Sequence, residues 1–393
     1  MSKINIINGT VISEHGLIPG GQVIVDNGKI SAVNSIAEPV LDAQTIDASG
    51  LYVSPGFIDI HVHGGAGFDF MDGTEEAFLA IAELHAQFGT TAMLPTTLSG
   101  SKEELLDTLN AYRNASKMNK KGASFIGLHL EGPYFAMSQR GAQDPQFIRD
   151  PNPIEYKEIL ALGPFIKRWS AAPELEGALE FGRFLVSKGV LPSMAHTDAI
   201  YEEAVEAFKN GYSLATHFYS AMSGVTRRNA FRYAGVIEAG YMIDEMDVEI
   251  IADGVHLPEP LLRMVVKFKD PSRIILITDA MRAAGLNTTE SILGSIKNGM
   301  HVLIEDGVAK LPDRSAFAGS VATADRLVRT MLSKTSLDLV SVVKMITENP
   351  ARVMNVLHSK GSLKEGKDAD IVLFDDTISI KATFVEGRLI YSK

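Results

Sequence analysis

Eight short apolar segments, most of them separated by stretches of helical character, constrain this chain more than any other feature. The segments are Gly56–His63, Thr91–Leu98, Phe125–Glu131, Ile166–Pro173, Leu191–Thr197, Leu214–Ser220, Val248–His256 and Arg273–Asp279. Helical patterns fall between most of them, at Glu75–Phe88, Lys102–Asn114, Gly177–Lys188 and Tyr201–Asn210. Strands alternating with helices pack as a parallel sheet, and eight such units close into a (β/α)₈ TIM barrel, the α/β class expected here. Two further helical stretches, Ala324–Ser333 and Leu337–Thr347, follow the eighth strand and are expected to close the barrel.

The ends of the chain read differently. INIINGTVI, QVIVDNGKISAV and TIDASGLYV at the start, and DADIVLFDD and ISIKATFVEGRLIY at the finish, are β-rich and broken by turn pairs such as Asn-Gly. They predict a small β-sandwich domain built from both termini, residues 1–55 plus 355–393, around a barrel spanning 56–354.

In a barrel the strand ends meet on one face, where active sites sit. His61 and His63 end the first predicted strand, Glu131 the third, His196 the fifth, His256 the seventh and Asp279 the eighth, with His217 near the end of the sixth. Each has an ordinary structural explanation alone: a hydrogen-bonded core histidine, a paired glutamate, a helix-capping aspartate. Together they place five of the chain's ten histidines at one rim. His61 and His63, two apart, point to the same side of a strand. Neutral imidazoles and carboxylates are the ligands of a catalytic zinc-like ion that keeps a position open for water. A neighbouring carboxylate takes that water's proton and passes it to the leaving amine, a role that falls to Asp279; its direct contact with the metal stays open. His129 lies two residues deeper than Glu131 and reads as a core or supporting histidine.

The chain has 393 residues and no cysteine, so a metal site must be built from His, Asp and Glu. Its net charge of −11 argues against a nucleic-acid partner but not against a small anionic ligand held by a few local donors. There is no apolar run of membrane-spanning length and no signal-peptide core near Met1, which makes the cytoplasm the expected location.

Several longer words resemble a known family. The HVH pair, the two later strand-end histidines and the strand-eight aspartate look like the amidohydrolase superfamily. LHLEGPY followed by RGAQDP, then MAHTDA, ATHFYSAM, IADGVH, LITDAMRAAG, FAGS and KGSLKEGKDADIVLF, resemble the N-acetylglucosamine-6-phosphate deacetylases over nearly the whole chain. The resemblance implies a divalent metal (one or two ions, Zn²⁺ or else Fe²⁺, Mn²⁺, Co²⁺ or Ni²⁺) on Glu131, His196 and His217, with His61 and His63 as a second ligand pair. It implies Asp279 as acid/base, and His256 and Gln143 as substrate contacts. Backbone groups of Ser220 and Ala221 would meet the phosphate, and Arg228 would reach the phosphate of the neighbouring subunit in a homodimer.

Two stretches depart from the family pattern. His217-Phe218-Tyr219-Ser220-Ala221-Met222 carries Ser where the family has Asn, and Arg228-Asn229-Ala230-Phe231 replaces R-E-P-G. Arg227 and Arg232 flank Arg228 and either could take its part. The changes leave open a different N-acyl amino sugar, such as N-acetylgalactosamine-6-phosphate. More distant alternatives are a generic amidohydrolase for cyclic amides and a non-catalytic barrel scaffold.

Overall fold

The computed structural model describes residues 3–393. The eight barrel strands are Phe57–Val62, Thr90–Pro95, Leu128–Glu131, Ile166–Ala171, Leu191–Met194, Leu214–Ala215, Asp247–Ile250 and Ile274–Leu276. Strands three to eight pair in parallel in that order, and strands one and two pair in parallel. Two seams close the ring: Thr96 bridges His129, with the Thr97 N–H donating to the His129 carbonyl at 3.0 Å, and the Asp279 N–H donates to the His61 carbonyl at 2.9 Å.

Every barrel strand is short, and the apolar segments outrun the ladders. The seventh strand ends at Ile250, so His256 lies in the following loop rather than at a strand end. The fifth and eighth end two and three residues before His196 and Asp279. The reason lies in the backbone. His196, His217 and Asp279 have φ of 47°, 31° and 48°, a left-handed conformation that cannot continue a strand and that non-glycine residues rarely adopt.

Helices pack around the strands as expected. Glu75–Ala86 and Lys102–Met118 begin with Thr74 and Ser101, whose side chains accept backbone N–H groups of the first turn. Outside the ring, Phe78, Tyr112, Trp169 and Phe181 belong to one shell of buried side chains between strands and helices. Inside, Ile58, Ile60, Leu94, Leu214, Ile275 and Ile277 join opposite sides of the ring in a separate apolar cluster.

The β-rich termini form one eight-stranded sheet containing Lys3–Ser13 through Tyr52–Pro55 from the start and Ile371–Phe374, Ile380–Val385 and Arg388–Ser392 from the end. The two parts join where Tyr52–Pro55 pairs antiparallel with Ile371–Phe374. Ile4, Val23, Val25, Ile371, Leu373 and Phe384 share its apolar core, so both ends of the chain are required to fill it.

Two insertions were not foreseen. A hairpin pairs Thr226–Arg228 with Phe231–Tyr233, and a four-stranded antiparallel sheet, Glu290 to Ser320, is inserted after the eighth strand. The inserted sheet is tied to the barrel at Asp279: the Ser320 N–H donates to the Asp279 carbonyl at 2.7 Å. Gly319 permits this close approach, since its φ is +71° and a Cβ there would lie 3.0 Å from the Asp279 carbonyl oxygen.

Candidate metal centre

The strand ends converge on the floor of a cavity of about 350 Å³. Two sets of three ligand-type groups meet there, Glu131 with His196 and His217, and His61 with His63 and Asp279. Within the first set, Glu131 Oε1 lies 3.1 Å from His217 Nε2 and 3.4 Å from His196 Nε2. Within the second, the Nε2 atoms of His61 and His63 are 3.2 Å apart, and Asp279 Oδ1 is 3.2 Å from His63 Nε2 and 3.5 Å from His61 Nε2. Glu131 joins the sets, its Oε2 being 3.4 Å from His63 Nε2. None of the six residues is more than 7% exposed.

Such a cluster is costly without a cation. Buried charges must be paired or must coordinate a metal. Burial by itself would lower the His61 imidazole, yet the Asp279 and Glu131 carboxylates outweigh it and push it up to about 10. Burial opposes ionisation of Glu131, but His61 and the contacts from His196 and His217 hold it well below the usual carboxylate range. Asp279 is likewise held low, burial being outweighed by His61 and His63. The pocket thus gathers negative charge and imidazole lone pairs, and a divalent ion supplies positive charge there without requiring protonated histidines. The donor set is all nitrogen and oxygen, which fits a divalent metal.

Neighbouring groups orient two of these ligand-type side chains, His196 and Glu131. His196 places Nδ1 2.8 Å from the Gln139 carbonyl, which turns Nε2 toward Glu131. Gln143 donates Nε2 to Glu131 Oε2 at 2.8 Å and accepts the Ser99 N–H at 2.9 Å, so its amide braces a ligand as well as lining the cavity. His129 is fully buried, with Nε2 2.6 Å from Ser170 Oγ and its ring edge-on to His61 at 4.8 Å. This agrees with its reading as a supporting histidine.

The cavity wall includes His256, Ser220 and Ala221. His256 is held by Asp253, whose Oδ2 is 2.8 Å from Nδ1 and whose Oδ1 accepts the His256 N–H at 2.8 Å. Ser220 donates its backbone N–H to the His217 carbonyl at 2.8 Å, which leaves its hydroxyl as the remaining donor. Arg228 is not brought to the cavity: it stands on the exposed hairpin, its guanidinium over the Tyr233 ring at 5.6 Å. The sequence reading missed Phe317, which reaches the wall from the inserted sheet and packs on His256 at 4.5 Å. The FAGS word was the only signal for it.

The geometry agrees with comparisons to known proteins. The N-acetylglucosamine-6-phosphate deacetylase of Lysinibacillus sphaericus is 34% identical over 388 residues, covering 98% of this chain and 97% of that protein. The N-acetylgalactosamine-6-phosphate deacetylase of Escherichia coli O157:H7 is 31% identical over 380 residues, covering 96% and 97%. Among solved structures, N-acetylglucosamine-6-phosphate deacetylase from Pasteurella multocida superposes with a TM-score of 0.92 at 26% identity, with all of both chains covered. A mutant of the Mycobacterium smegmatis enzyme in complex with N-acetyl-D-glucosamine-6-phosphate gives 0.91 at 28%, again with both chains fully covered. The amidohydrolase family pattern matches residues 52–390, and the chain belongs to that family.

Proposed function

We propose that this chain hydrolyses the acetamide of N-acetylglucosamine-6-phosphate to glucosamine-6-phosphate and acetate. One observation carries the reading: two ligand sets meet under one cavity in a chain matched along nearly its whole length by deacetylases of N-acetylhexosamine phosphates.

In this reading Glu131, His196 and His217 hold a divalent cation, and His61 and His63 form a second ligand pair. Zn²⁺ suits the donor set best, ahead of Fe²⁺, Mn²⁺, Co²⁺ or Ni²⁺, and when bound it supplies Lewis acidity to water and to the acetamide carbonyl. Asp279, on the cavity lining with Oδ1 3.2 Å from His63 Nε2, takes the proton of the attacking water. It takes that proton as the C–O bond forms and returns it to the amine nitrogen as the C–N bond breaks. His256, with Nδ1 engaged by Asp253, keeps Nε2 for the sugar, and Gln143 holds Glu131 beside it. The Ser220–Ala221 segment meets the phosphate, which anchors the sugar so that the acetamide lies over the floor. Arg228 completes the phosphate site of a second subunit in a homodimer, a role supported by its exposure on a hairpin that also carries Arg227 and Arg232. No helix among the described residues is long and apolar enough to cross a membrane. A charged sugar phosphate does not cross a bilayer unaided, which supports action in the cytoplasm.

The altered residues around Ser220 and Asn229, together with the Escherichia coli relative, favour one second reading, N-acetylgalactosamine-6-phosphate as the preferred epimer. Amine release from both sugar phosphates and from unphosphorylated N-acetylglucosamine, by protein of measured metal content, tests the pair. The highest kcat/KM is expected on the gluco phosphate. Preference for the galacto phosphate moves the substrate to the second reading, and indifference to phosphate removes both.

A further inference from the structure

The ligand residues rest against a buried ion pair that the chemistry above does not use. Arg168, on the fourth barrel strand, and Glu249, on the seventh, are fully buried. The guanidinium grips the carboxylate with both terminal nitrogens, Nη1 to Oε1 and Nη2 to Oε2, the latter at 2.9 Å. Its remaining donors reach the Ile60 carbonyl at 3.1 Å, Ser193 Oγ at 3.0 Å and Thr216 Oγ1 at 2.9 Å. Four other strands therefore hold Glu249 in place. Its Oε2 lies 3.5 Å from His61 Nδ1 and 3.4 Å from the backbone nitrogen of His217. His61 Nδ1 is otherwise a buried nitrogen without a hydrogen-bond partner, while Nε2 of the same ring turns to His63, Glu131 and Asp279.

A buried ion pair is weak evidence for stability, because apolar residues of similar volume are often as stable. Its placement behind a ligand histidine suggests another purpose. An imidazole that ligates through Nε2 carries its proton on Nδ1, and an acceptor there fixes tautomer and ring orientation. We infer that Glu249, held by Arg168, is the positioning residue for His61: it takes up the Nδ1 proton side of the ring so that Nε2 presents its lone pair to the cation. Through its contact with the His217 amide the same carboxylate ties the two ligand sets together. The inference rests on His61 being a ligand, as proposed above.

The test is Zn²⁺ binding by competition with a chromophoric chelator, alongside thermal midpoints, for wild type, Glu249→Gln, His61→Ala and the double variant Arg168→Met/Glu249→Gln. Glu249→Gln is expected to weaken at least one Zn²⁺ binding step by roughly 10- to 100-fold. The double variant leaves no lone buried charge, so its midpoint should return toward wild type while Zn²⁺ binding stays weak. A purely structural pair would recover both together, and that result would overturn the inference, as would wild-type binding at every step in Glu249→Gln. If His61→Ala weakens binding and Glu249→Gln does not, positioning falls and the ligand reading stands. If both variants bind as wild type does, the ligand reading falls with it.

Discussion

The cavity floor and the hairpin at Thr226–Tyr233 were both assigned roles from short sequence words, and the fold treats them in opposite ways. The floor is built from six side chains at the ends of five different strands, all buried, with His196 braced by the Gln139 carbonyl and Glu131 by the Gln143 amide. The hairpin is five exposed strand residues, a half-buried Tyr233 and a turn whose Asn229 and Ala230 both have positive φ, at 49° and 72°. Two positive-φ residues suit a tight two-residue hairpin, but nothing in the barrel dictates where its tip points. Closure of a barrel forces strand ends together whatever the loops do. A surface hairpin has no such constraint, and its function depends on what meets it.

Variants on each side can break this comparison. The largest expected effect is on the floor: Asp279→Asn should lower kcat by about 10²- to 10⁴-fold with metal content little changed, because proton transfer is lost while the ligand set remains. Turnover near wild type would remove Asp279 as the proton carrier. A comparable energy is expected in support of the floor. Trp169 is fully buried, stacks on Tyr134 and donates Nε1–H to the carbonyl of Gly132, the residue after Glu131, at 2.8 Å. Trp169→Ala should cost about 3–5 kcal/mol in chemical denaturation. Phe231→Ala on the hairpin, where the side chain is 70% exposed, should stay within about 0.5 kcal/mol. Equal losses would mean that Phe231 itself is buried against the second subunit rather than flanking the Arg228 contact.

Arg228→Ala should raise KM for the sugar phosphate about 10- to 100-fold, the worth of a charge-assisted phosphate contact, and leave the unphosphorylated sugar unaffected. Unchanged kinetics on both sugars would transfer the role to Arg227 or Arg232, or remove it from the hairpin. The smallest effect concerns His85, buried behind the floor with Nε2 3.0 Å from the Gly64 carbonyl. Burial holds this imidazole below its ordinary value of 6.5, with the Gly64 contact opposing only in part. The unfolded chain therefore binds the extra proton. The contribution is fully present above pH 6.5 and diminishes as pH falls below it. His85→Gln should flatten that acid-side decline in stability, and an unchanged pH profile would show that other groups set it.

How much was legible follows from which residues announce themselves locally. His61, His63, Glu131, His196, His217 and Asp279 stood out because each ends an apolar run with a residue type that apolar runs rarely contain. Glu249 and Arg168 sit inside such runs, where a lone charge reads as a strand-edge accident until its partner on another strand is seen. His256 was placed on the wrong element because its apolar neighbours continue beyond Ile250, where the ladder stops. The inserted sheet from Glu290 to Ser320 escaped notice because its strands are three to six residues long and broken by turns. Short polar-edged strands have too little periodicity to distinguish them from loop.

The sequence by itself determined the alternation of strand and helix, the residue types at the strand ends and, through its words, the family. These are local properties, written in spacing and side-chain chemistry. Only the tertiary structure decided that Glu131 stands between two ligand sets, that Gln143 braces it, that Phe317 closes over His256 and that Arg228 stays outside. Those relations depend on distances between residues tens to hundreds of positions apart, which barrel closure and the inserted sheet set and which no stretch of sequence encodes alone.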